Sequence, residues 1–163
     1  MIIIAKNKQL HIDEFIFKCC IGKKGSTNFK KEGDNKTPKG IFNLGPLFYR
    51  QDRLKKPKTK LKCIPIKKNW GWGNNPNDKS NYNKLIVEMK TKKGEKLFRK
   101  DHKYDLLIPI KYNISKKVMG KGSAIFMHLS KDYEATAGCV ALSKKDFLII
   151  LKILNKNSKI KIY

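Results

Sequence analysis

A chain of 163 residues with 40% hydrophobic and 10% aromatic content is long enough for one domain with a buried core, and too apolar to stay disordered. Its formal charge of +25 comes almost wholly from lysine, since Arg50, Arg53 and Arg99 are the only arginines. Lysines scattered through every segment, with no arginine-rich helix or aromatic RNA-binding motif, argue against specific nucleic-acid recognition and for a solvated basic surface that is drawn loosely to anionic polymers or lipid head groups. No apolar run approaches the ~20 residues of a membrane span, and residues 1–5 are too short an apolar stretch for a signal peptide core.

In chain order, residues 2–5, 10–12 and 15–21 read as short strands, apolar or alternating, broken by Lys-Asn-Lys and Asp-Glu. Cys19 and Cys20 face opposite ways on such a strand, so they read as small core residues rather than a disulfide. The stretch 22–28 is turn-rich, and Pro38 and Gly40 punctuate the entry to a strand at 41–44. Residues 51–62 form a lysine-rich connection, and 63–66 reads as an edge strand because it contains Pro65. The segment 70–78 is a polar loop holding Trp70 and Trp72, either a binding element or a loop pinned by buried tryptophans. Strands follow at 85–89 and 106–110, then a buried one at 123–127 closed by His128. Ser143 caps a helix, Asp146 completes a capping box, and Phe147, Ile150, Leu151 and Leu154 mark its buried face. The alternating strand 159–162 follows. One mainly β domain over residues 1–163, sandwich-like, with a single clear helix after Cys139, is the expected fold.

The chemistry concentrates at Thr136-Ala137-Gly138-Cys139-Val140-Ala141-Leu142. A thiol attacks a carbonyl well only as thiolate, so it needs a base in reach. His128, eleven positions earlier at a strand end, supplies one. Small residues before Cys139 leave room for a substrate carbonyl, and the amides of Gly138 and Cys139 can face a developing oxyanion. The helix that starts at Ser143 is expected to favour the thiolate through its positive end. Structural alternatives remain: a core histidine bonded to backbone, and a buried cysteine in a tight turn. No CxxC occurs and the three histidines lie far apart, so neither a metal nor a cofactor is expected.

These residues resemble the YkuD-type L,D-transpeptidase catalytic domain, in the branch that reads Thr-Ala-Gly-Cys. The resemblance runs through Glu32-Gly33-Asp34, Thr37-Pro38-Lys39-Gly40-Ile41-Phe42, Tyr49-Arg50-Gln51-Asp52-Arg53, Gly71-Trp72, Tyr82-Asn83, Phe98-Arg99-Lys100-Asp101, Tyr104-Asp105 and Gly120 to His128. It implies a mostly β fold with Cys139 as nucleophile, His128 as base and later proton donor, and an oxyanion site at Gly138 and Cys139. It also implies peptidoglycan stem peptides as partners, D-alanine release through a thioester, and a place in the cell envelope or periplasm. The chain departs from the family where Ala137 replaces a second histidine and Ala141 replaces an arginine. Arg50 and Arg53 are nominated for the substrate carboxylate, because a guanidinium binds carboxylates bidentately. Two alternatives stay open: an L,D-carboxypeptidase using water as acceptor, and a non-catalytic basic module that binds cell wall or nucleic acid.

Overall fold

A computed structural model describes residues 1–89 and 94–163. Its strands are β1 (Ile2–Lys6), β2 (Gln9–Ile12), β3 (Phe15–Cys20), β4 (Ser26–Thr27), β5 (Thr37–Pro38), β6 (Gly40–Asn43), β7 (Leu47–Tyr49), β8 (Cys63–Pro65), β9 (Gly71–Trp72), β10 (Leu85–Ile86), β11 (Glu95–Lys96), β12 (Leu106–Pro109), β13 (Phe126–Leu129), β14 (Val140–Leu142) and β15 (Lys159–Ile162). The single helix among the described residues, α1 (Lys144–Ile153), follows β14.

Ten strands form one sheet in the order β6-β15-β1-β2-β3-β14-β13-β12-β7-β8. The sheet curls, so that Ile3, Leu10 and Ile160 from one half share a core with Leu47, Leu106 and Ile108 from the other. This is the mainly β, sandwich-like domain expected from the sequence. Helix α1 closes that core with Phe147, Ile150 and Leu151, joined by its C-cap Leu154, none of them exposed. Ser143 caps the helix as expected, its Oγ accepting the Asp146 N–H at 3.1 Å. The β14–β12–β8 half carries a second core on its outer face, where Phe48, Leu107, Phe126 and Cys139 meet Trp70, Trp72, Leu97 and Tyr104. Part of that cover is a small three-stranded sheet in the order β10-β9-β11.

Several boundaries differ from the sequence reading, each for a local reason. Strand β7 went unread because Leu47, Phe48 and Tyr49 are buried on both faces and so show no alternation. The strand expected at 123–127 begins only at Phe126 and runs to Leu129. Ala124 sits at φ +51° and its N–H donates to the Asn83 side chain, which takes it out of any ladder. The strand read at 85–89 shrinks to Leu85–Ile86. The Trp70–Trp72 loop is pinned from inside: Trp72 Nε1 donates to Asn83 Oδ1 at 2.9 Å, and its ring meets Phe126 edge-on. Pro65 lies on β8 at the sheet edge, where a missing N–H costs no ladder bond.

Candidate active site

The site lies where two central strands run parallel. Strands β13 and β14 pair with His128 opposite Ala141, and β14 pairs antiparallel with β3, Ala141 opposite Cys20. The segment between β13 and β14 returns over the sheet end and delivers Cys139 just before β14. Its last turn is tied down on two sides. Thr136 N–H donates to Ile21 O, and Lys23 N–H donates to Thr136 O. The Thr136 hydroxyl donates to Cys139 O at 2.6 Å and accepts the Gly138 N–H at 3.1 Å. Gly138 has φ +145°, and a Cβ there would stand 2.8 Å from Lys36 O, so only glycine fits this approach to the loop before β5.

Cys139 and His128 line one cleft of about 440 Å³, together with Glu32, Glu95, Arg99, Tyr104 and the 135–138 turn. The Cys139 thiol donates to Ala124 O and accepts the Phe126 N–H, both at 3.3 Å. His128 Nδ1–H donates to Leu129 O at 2.8 Å, which fixes the tautomer and leaves the Nε2 lone pair as the base. Among the described residues no buried side-chain nitrogen or oxygen lacks a hydrogen-bond partner. Nε2 makes none with the described residues, so it opens onto the cleft that His128 lines. The two groups predicted to act together therefore share a cleft but no hydrogen bond; the resting thiol is held by backbone.

Both groups are neutral at rest. Burial pushes the Cys139 thiol up to about 12, with Glu95 adding to it. Burial holds the His128 imidazole down at about 4; Lys103 and Arg99 act the same way, against the opposing Leu129 hydrogen bond and Asp101. The thiolate-favouring helix end expected from the sequence is not what sets this balance. Strand β14 and Ser143 separate Cys139 from α1 by four residues, roughly 13 Å of extended chain, beyond the first turn over which a helix dipole acts.

The proposed oxyanion amides differ from each other. Gly138 N–H is already committed to Thr136, whereas Cys139 N–H has no acceptor among the described residues. Arg50 and Arg53 lie outside the cleft lining. Arg50 is buried, forked onto Asp52, bonded to Arg99 O and stacked on Phe98 at 3.5 Å. Arg53 binds Asp105 and the carbonyls of Arg99, Lys100 and Asp101. Both arginines thus brace the 99–105 segment. Arg99 itself lines the cleft, paired with Asp101 and lying over the Tyr104 ring.

Sequence reading missed the supports of this site. Asn83, buried at φ +52°, accepts from Trp72 and Ala124 and donates to Tyr112 O and Asn113 O. Glu32 accepts from Tyr82 at 2.5 Å and from Ser123 at 2.8 Å. Tyr104 packs edge-on against His128 at 5.2 Å while its hydroxyl donates to Glu95. Asn83, Tyr82, Glu32 and Tyr104 fall within the stretches that carry the family resemblance, which was the available signal; Glu95 had none. No group of three or more potential metal ligands occurs among the described residues.

A central pair of parallel strands thus brings a thiol and an imidazole into one cleft, the two groups that cysteine acyl transfer requires. The family model for the L,D-transpeptidase catalytic domain, YkuD, matches residues 2–162, and the chain belongs to that family. No curated protein and no solved structure matches it. The family comprises cysteine-dependent transpeptidases that act on peptidoglycan peptides and are typically associated with the cell wall. Among the described residues no helix is long and apolar enough to cross a membrane.

Proposed function

We propose that the protein is a peptidoglycan L,D-transpeptidase that works through a thioester on Cys139. The observation that carries this reading is the locked His128 tautomer, whose free Nε2 opens onto the cleft that also holds the Cys139 thiol. Because both groups rest neutral, deprotonation accompanies attack. As the stem-peptide carbonyl enters, the thiol leaves Ala124 O and passes its proton to Nε2. Sulfur then bonds to the carbonyl carbon between the third and fourth residues of the stem. The oxyanion takes the unpaired Cys139 N–H, and Gly138 N–H joins it by turning from Thr136. On collapse the C–N bond breaks and Nε2 returns the proton to the departing D-alanine nitrogen. An acceptor amine then gives a proton to Nε2 and attacks the thioester carbonyl; as the C–S bond breaks, Nε2 passes that proton to sulfur and the thiol is restored.

We assign the substrate carboxylate to Arg99, which lines the cleft although it is paired with Asp101, rather than to Arg50 and Arg53, which lie outside that lining and bind the 99–105 segment. Purified sacculi and a soluble stem tetrapeptide with an amine acceptor provide the test, with products resolved by mass. New cross-links or exchanged termini, lost in Cys139→Ala, are expected. His128→Gln should cost ~100-fold or more, and Arg99→Ala should raise KM more than kcat falls. Loss of D-alanine with no acyl exchange would turn the reading to L,D-carboxypeptidase. No turnover of either substrate by the folded protein would leave the non-catalytic binding module.

A further inference from the structure

The outer face of the other half of the sheet is the part of the molecule the chemistry does not use. On strands β6-β15-β1-β2-β3 the inward residues other than the half-exposed Phe15 at the start of β3 face the core, and the outward ones alternate with them. Cross-strand register aligns Ile41, Lys161, Ile4, His11 and Ile16 into one row that spans all five strands. A sheet face left to water carries polar residues at such positions. Here Ile16 is 62% exposed, Ile41 53%, and Ile2, in the next row, 50%. The same face bears Lys6, Lys18 and Lys159 at outward positions, and Lys161 lies over the Tyr163 ring at 4.4 Å. No acidic residue takes an outward position on these strands; Asp13 and Glu14 occupy the turn after β2.

We propose that this face docks the protein on an anionic lipid bilayer, the isoleucines entering the head-group boundary and the lysines meeting the phosphates. Charge complementarity selects that occupant. A second copy would bring the same lysines face to face on two molecules of formal charge +25 each. A hydrated anionic polymer would satisfy the lysines but offers the isoleucines no apolar phase. Lysine stems reach past an apolar patch while their ammonium groups stay at the phosphate level. None of the five strands contributes to the lining of the Cys139 cleft, so docking leaves the cleft free.

The test is flotation of the full chain with vesicles of phosphatidylcholine, with and without phosphatidylglycerol. Binding to the anionic vesicles alone is expected. Ile16→Ser with Ile41→Ser removes no charge and should lower the partition roughly 100-fold, about tenfold for each half-exposed isoleucine. Val118→Ser, equally exposed elsewhere, should change nothing. Should the double variant fold poorly, Lys18→Gln with Lys159→Gln serves instead and should weaken binding about 25-fold at low salt, about fivefold per lysine. Unchanged binding of these variants would overturn the proposal. So would a concentration-dependent dimer in sedimentation that Ile16→Ser and Ile41→Ser abolish. Isoleucine-dependent retention on sacculi without vesicle binding would assign the face to the wall polymer and overturn it equally.

Discussion

Residue by residue, the cleft holds its thiol in the protonated form. A thiol pushed up to about 12 is almost wholly protonated at neutral pH, unlike the reactive thiolates that depressed pKa values produce. Brief iodoacetamide treatment at pH 7 should therefore label Cys63, which is partly exposed, before Cys139. An acyl donor shaped like the stem peptide should still modify Cys139, read by peptide mass. Preferential alkylation of Cys139 in the free protein would show a standing thiolate instead. His128 makes a second prediction with a definite sign. The unfolded imidazole takes up a proton below pH 6.5, while the folded one refuses it until about 4. The unfolded state binds more protons in that window, so stability falls as pH drops from 6.5 to about 4, by roughly 3 kcal/mol from this one group. His128→Gln should flatten that segment of the denaturation profile. The further loss below the ordinary carboxylate range, where Asp101 is held down at about 2 by Arg99, should remain.

At the scale of elements, the parallel β13–β14 pair and the turn between them set the geometry, and here the sequence was only partly readable. The reading of Cys139 returning beside the His128 strand follows from chain length and small residues, and the register of His128 opposite Ala141 agrees with it. The turn's hidden organiser, Thr136, is a short polar residue like many others in the chain and gave no signal of its own. Thr136→Val keeps the shape and removes both hydrogen bonds of the hydroxyl. It should cost about 1–3 kcal/mol of stability, measured by urea denaturation. A larger fall in acyl transfer should accompany it, because Gly138 and Cys139 lose their anchor. Gly138→Ala should cost more, since the new methyl meets Lys36 O at 2.8 Å in a backbone region alanine avoids. Ala124 was unreadable for a related reason: φ +51° at a non-glycine residue is imposed by Asn83, forty-one positions away. Strong local patterns, such as the Ser143 cap with the 147, 150, 151, 154 stripe, transferred to the structure almost unchanged.

For the whole molecule, strand patterns gave the class of fold but not the way the sheet closes. Pairings such as β7 with β8 and β12, or β6 with β15, join segments with no shared local signal. The position of the arginines relative to the cleft was unreadable for the same reason: three arginines within fifty residues look alike until the 99–105 segment wraps across Arg50 and Arg53.

Strand β15 has a consequence for how the protein is made. It lies between β6 and β1, pairing parallel with β1 and antiparallel with β6. During synthesis the first strand of the sheet leaves the ribosome long before its neighbour exists, and half of the main core waits with it. Until Lys159–Ile162 slots in, β1 and β6 have an unfilled gap between them and open edges prone to wrong pairing. Folding that depends on contacts so distant in sequence is slow, in the range of milliseconds to seconds. Removing residues 159–163 should therefore leave a chain that fails to fold cooperatively, not a trimmed domain. Pulsed hydrogen exchange during refolding should show the amides of β1, β6 and β15 gaining protection in a single step. Early protection of β1 and β6 without β15 would mean that the gap closes on itself before the last strand arrives.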